Sequence, residues 1–132
     1  MTRIFAAVRS LATYVLVSLY VATVGLSALL IAVAAGNLSI LYGAGVGGVR
    51  LGLWLSGIRM RVEGDEHLQH HRAAIYAVNH TSNVEPPLIF LALRSLFPRL
   101  KILYKAELRK LPILVRAFDL AGFVPLERGN RE

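Results

Sequence analysis

Hydrophobic and polar positions divide this chain into two unlike parts. From Ser10 through Val49 there is no Asp, Glu, Lys, Arg or His, whereas charged and apolar positions interleave in short blocks beyond Arg50. Residues 11–35 form an apolar run of roughly 25 residues, about 37 Å as a helix, enough for a bilayer core of ~30 Å. Arg3 and Arg9 lie at its start with no acid beside them. Gly36-Asn37 is a turn signal, and a second uncharged stretch, 38–49, leads into Arg50-Leu51-Gly52-Leu53-Trp54-Leu55-Ser56-Gly57-Ile58. Its glycines, Gly43, Gly45, Gly47 and Gly48, weaken a helix in water but permit close helix packing in lipid. The pattern predicts a hydrophobic helical hairpin. Arg3 and Arg9 before it, and Arg50, Arg59 and Arg61 after it, put both ends on the cytoplasmic side by the positive-inside tendency. A secretory signal peptide is the rival suggested by Ala32-Val33-Ala34-Ala35, but its apolar core runs only ~7–15 residues. A single crossing followed by an interfacial helix, with Trp54 at headgroup level, and a buried helical pair in a soluble protein are the other arrangements open.

Beyond Gly57 the texture changes. Residues 58–63 alternate apolar and charged, the period of a half-exposed strand, and Gly64-Asp65 closes it. Residues 66–72 are a polar surface connection carrying His67, His70 and His71. On a helix, His67 and either of the others would share a face able to hold zinc, but no acidic or cysteine partner is fixed nearby, and a solvated loop accounts for them as well. Residues 73–78 predict a buried strand. Pro86 and Pro87 suit the first turn of a helix, placed at 88–94 and ended by Phe97-Pro98. A strand at 100–104, a loop or helix start at 105–108, a helix at 111–120 and a strand at 122–126 complete the pattern. Alternating strands and helices predict an α/β fold with a largely parallel sheet. Ligands collect at the carboxyl ends of such strands. His80, Lys105 and Arg128 each fall just past a predicted strand, which would bring a base and two cations to one edge.

Composition sharpens this picture. The 132 residues are 55% hydrophobic with a net charge of +7, which favours anionic lipid. Nucleic acid is not an expected partner, because no zinc motif, helix-turn-helix pattern or aromatic-studded basic strand accompanies the charge. The absence of cysteine excludes disulfides, thiolate metal sites and a cysteine nucleophile. The part beyond Arg50, about 80 residues, is near the lower size for a self-sufficient core. The expected organisation is a membrane anchor over 1–57 and an incomplete catalytic domain over 58–132.

The chemistry concentrates in Asn79-His80-Thr81-Ser82-Asn83-Val84-Glu85-Pro86-Pro87. An imidazole can take a proton from a hydroxyl near neutral pH, and a carboxylate at its other nitrogen fixes the tautomer. His80 and Glu85 are five positions apart, which does not align them on a regular helix, but across a strand-to-helix turn a glutamate can fold back to the ring. Taken alone, a histidine capping a helix or satisfied in a core fits this block equally.

Together with Lys105-Ala106-Glu107-Leu108 and Gly122-Phe123-Val124-Pro125-Leu126-Glu127-Arg128, the block resembles the glycerolipid acyltransferase family, the 1-acylglycerol-3-phosphate (lysophosphatidate) acyltransferases in particular. Their Asn-His-x4-Asp motif is matched by Asn79, His80 and, with a change, Glu85. Their Gly-x5-Arg block with a frequent proline is matched by Gly122, Pro125 and Arg128. A Lys-x-Glu-Leu element and an apolar helical anchor ahead of Val62-Glu63-Gly64 are also typical. The resemblance implies acyl transfer from acyl-CoA or acyl carrier protein to the free hydroxyl of a lysophospholipid, giving phosphatidic acid, with no metal or other cofactor. His80 would be the general base and Glu85 its orienting carboxylate; Arg128 and Lys105 would hold the acceptor phosphate, with Ser82 and Gly122 also at the substrate. Ser82 keeps a serine-nucleophile route formally open. The implied location is a bacterial inner membrane with the catalytic part cytoplasmic. The family's later Glu-Gly-Thr-Arg and proline-containing blocks are not in this sequence, so the resemblance implies an N-terminal half. The competing expectation is a catalytically inactive, membrane-anchored chain that binds lipids or a partner.

Overall fold

The computed structural model describes residues 2–79, 82, 84–110 and 112–127. Helix α1 (Thr2–Tyr20) continues through a π turn at Val21–Gly25 into α2 (Leu26–Ala35). Both threonines in the apolar run 11–35 are satisfied within the helix: the Thr13 and Thr23 hydroxyls donate to the carbonyls of Arg9 and Leu19, at 2.9 and 2.8 Å. The chain turns at Gly36-Asn37, where the Asn37 side-chain oxygen accepts from the Ser39 N–H at 2.9 Å, and helix α3 (Ser39–Ser56) runs back.

Antiparallel pairing of α3 with α1 and α2 follows from its small residues. The Tyr20 hydroxyl donates to the Ala44 carbonyl at 2.9 Å. A Cβ at Gly47 would lie 2.7 Å from that hydroxyl oxygen, and one at Gly48 3.0 Å from the ring. Larger residues here would push the helices apart. At the far end the Arg9 guanidinium donates to the Ser56 carbonyl, where the helix dipole favours a cation. Gly57, at φ 67, closes α3 with its N–H on Trp54 O and the Ile58 N–H on Leu53 O, the hydrogen-bond pair of a Schellman stop.

Two predicted strands are corrected. Residues 58–63 and 73–78 run without regular structure. The first carries an exposed Arg61–Glu63 ion pair at 2.8 Å. The second, expected to be buried, leaves Ile75 98% exposed. Strand character needs a neighbour as well as a pattern, and the one sheet among the described residues is formed elsewhere, by β1 (Leu103–Lys105) and β2 (Val124–Leu126).

That sheet is parallel, with Leu103, Tyr104 and Lys105 opposite Val124, Pro125 and Leu126. A 3-10 turn (Ala106–Lys110) and helix α5 (Pro112–Ala121) connect its strands, as a parallel pair requires. The result is a mixed α/β fold. Tyr104 is buried, its ring 4.3 Å from that of Phe118, which in turn lies 5.6 Å from Phe123. Helix α4 (Glu85–Ala92) begins three residues earlier than predicted, with its two prolines in the first turn, and Arg94 falls instead in a short 3-10 turn, Arg94–Leu96. Helix α4 packs on α3, and α5 packs on α2. Among the described residues, those buried on α2 and α5 are small: Ala28 and Ala32 on α2, Ala117 and Ala121 on α5.

Candidate functional site

The loop before α4 is the first part of the site. His80 lies outside the described residues, as does Arg128. Ser82 is exposed and builds the turn: its hydroxyl oxygen accepts from the Val84 N–H at 3.3 Å, and its carbonyl from the Glu85 N–H at 3.2 Å. Both bonds feed the chain into α4, whose first residue is the half-buried Glu85. Pro86 and Pro87 suit this position because their missing N–H groups would have no helical partner there. Glu85 is thus fixed to a rigid helix start rather than to a loop.

The second part is the carboxyl edge of the sheet. Lys105 is the last residue of β1, exposed, and opposite Leu126, two positions before Arg128. Of the three strand ends expected to converge, two form as strands, β1 ending at Lys105 and β2 at Leu126, while the segment before His80 has no regular structure and no strand partner among the described residues. Gly122 sits at the turn from α5 into β2 with φ 64. Its N–H reaches Asp119 O at 3.1 Å and the next N–H, on Phe123, reaches Phe118 O at 2.9 Å. A side chain here would be strained by the left-handed backbone and crowded, since a Cβ would lie 3.2 Å from the Lys101 ammonium nitrogen.

Lys101 is a residue that sequence reasoning missed. Its ammonium donates to the Ala121 carbonyl at 2.6 Å, which caps the C-terminal end of α5 and ties the approach to β1 to the turn at Gly122. Arg109 acts similarly, donating to the Tyr104 hydroxyl at 3.0 Å and pairing with Asp119 at 3.4 Å. Neither had a sequence signal, because each partner is a single atom brought near by the crossover.

An open cavity of about 1170 Å³ lies beside α4 and the approach to β1, and Ser82, Glu85, Lys105 and Gly122 are not among its lining residues. Tyr76 and Val78 line it from the irregular segment 73–78, Ile89 from α4 and Leu93 from just past its end, and Leu100 and Ile102 from the approach to β1. Its basic lining comes from Arg72, Arg99 and Lys101. An apolar trough with cations along it suits a molecule having a hydrocarbon part and an anionic part.

Residues 59–132 match the family model described as Acyltransferase, which is more than half of the chain. The chain belongs to the acyltransferase family. No curated protein and no solved structure matched it. The span shared with the acyltransferases contains His80, Ser82, Glu85, Lys105, Gly122 and Arg128, and it opens two residues past the glycine that ends α3. Membership supports acyl transfer as the chemistry of this part.

Proposed function

We propose that this chain transfers an acyl group from a thioester, acyl-CoA or acyl carrier protein, to the free hydroxyl of 1-acylglycerol-3-phosphate, forming phosphatidic acid. His80 takes the hydroxyl proton, the oxygen attacks the thioester carbonyl, the C–S bond breaks, and the thiolate leaves with the proton from the imidazolium. Glu85 holds the ring in the productive tautomer. Arg128 and Lys105 bind the acceptor phosphate, arginine through its planar fork. The observation that carries the acceptor assignment is the β1–β2 register, since a cation opposite Leu126 is a near neighbour in sequence and sheet of the segment leading to Arg128. Purified chain in phospholipid vesicles is expected to convert acyl-CoA and lysophosphatidate to phosphatidate, and to act less well on a lyso-acceptor without a phosphate monoester. No product from either thioester donor would refute the reaction and favour a membrane-bound chain without catalysis.

The anchor is read as lying in one leaflet. Residues 4–35 are long and apolar enough to cross a membrane, yet only 11% of the most apolar stretch is buried, unlike a core helix of a soluble protein. Ile4, Phe5, Val8, Leu11, Leu19 and Leu30 are all exposed, a surface suited to lipid. In-plane insertion is supported by where the rest of the chain packs. Both α4 and α5 lie against the half of the helix pair nearest Gly36-Asn37, at Tyr42 and Gly45 and along α2. Were the pair to span the bilayer, these helices with Arg109, Arg116 and Asp119 would enter hydrocarbon or the far side, at a cost of ~2.5–3.5 kcal/mol per central charge. Because the chain has no cysteine, Asn37→Cys gives a unique label site. It is expected to resist an impermeant maleimide applied from the outer side of sealed membranes; labelling from that side would show that the turn crosses.

A further inference from the structure

The glycines of α3 do not share one task. Gly47 and Gly48 accommodate Tyr20, Gly52 faces Val17, and a Cβ at Gly43 would meet nothing within 4 Å. Gly45 is different, because its neighbour lies outside the helix pair. A Cβ there would be 2.9 Å from Phe90 Cζ and 3.1 Å from Cε1, below ordinary contact. The Phe90 ring is not free to withdraw. Its centroid is 4.7 Å from that of Phe97, and Phe97 is stacked on Tyr42 of α3 at 4.4 Å and 14°. Tyr42, Phe97 and Phe90 thus form a ring stack whose last member rests on the bare backbone of Gly45.

Phe90 belongs to α4, the helix that starts at Glu85 and is stiffened by Pro86 and Pro87. Five residues of helix, about 7.5 Å of rise, separate the ring from Glu85. A helix turn this short moves as one piece, so a displacement at Phe90 is carried to Glu85. We propose that Gly45, in the apolar anchor, is a positioning residue for the site: the flat seat it offers to Phe90 sets the placement of α4 and, through it, of the Glu85 carboxylate assigned above to orient the base. This rests on the role given to Glu85 above and adds a dependence of catalysis on the anchor, with no anchor atom touching substrate.

The test uses the full chain in vesicles and three variants. Gly45→Val is expected to lower kcat about tenfold with little change in either KM, since misplacement of catalytic groups by an ångström can cost up to ~10²-fold. Gly43→Val, which adds the same atoms into open space, should match the unaltered chain. Gly45→Val combined with Phe90→Leu should regain kcat to within about threefold of the unaltered chain, although loss of the ring from the stack lowers its thermal midpoint further. Rate and stability would then move in opposite directions, which a merely structural role does not produce. An unchanged kcat in Gly45→Val, or rates that simply track the midpoints across all three variants, would overturn the proposal. If the unaltered chain transfers no acyl group, the reaction itself is refuted, and amide exchange then decides the seat: α4 protection should be lost in Gly45→Val and regained in the double variant, and an unaltered exchange pattern overturns it.

Discussion

His80→Ala is expected to lower kcat for lysophosphatidate acylation by about 10²–10⁴-fold, the range attributable to a positioned general base, while circular dichroism and the thermal midpoint stay close to those of the unaltered chain. The expectation follows from the hydroxyl's chemistry. An alcohol is a poor nucleophile toward a thioester until its proton is removed, and imidazole does so at neutral pH without itself being charged beforehand. A histidine that only capped the turn before α4 would give the reverse pattern, a lowered midpoint with the rate of the folded fraction preserved. Measured initial rates and midpoints on one preparation separate the two.

Arg128→Ala is expected to raise KM for lysophosphatidate by about 10–100-fold, in keeping with ~1.5–3 kcal/mol for hydrogen bonds to a charged group, and to leave kcat largely unaltered. Arg128→Lys should recover part of the loss, because the charge returns but the paired donors do not. Lys105, opposite Leu126 at the edge of the sheet, would still supply one cation in either variant, so binding is weakened rather than abolished. An acceptor KM unmoved by Arg128→Ala would remove that residue from the phosphate site.

What the sequence made legible was whatever a local pattern decides. The uncharged run from Ser10 to Val49 announced the paired helices α1–α2 and α3, and Gly36-Asn37 marked the turn between them. Pro86-Pro87 announced the start of α4, whereas Gly122, read as the first residue of a strand, lies in the turn that ends α5. The strand at 73–78 was misjudged because Ala-Ile-Tyr-Ala-Val has the composition of a buried strand, but pairing depends on what lies alongside, and Ile75 faces solvent. Likewise the alternation at 58–63 describes two faces of a ribbon and says nothing of whether a partner exists. The site divides in the same way. Residue types and order in the His80 to Glu85 block could be read directly, whereas Lys101 on Ala121, Arg109 on Tyr104, and Phe90 on Gly45 are meetings of distant segments. Four glycines close together in α3 signalled close packing, but not that one of them faces a different helix from its neighbours.

The exposed segment 73–78 has a further consequence. It has no regular secondary structure, its six residues carry no charge, and no strand among the described residues is paired with it. Such a segment is a template for another chain's amide and carbonyl groups. At high concentration, self-association through intermolecular sheet would begin there rather than at the apolar helices, which detergent can cover. An added charge within 73–78 would then keep the protein dispersed where more detergent would not.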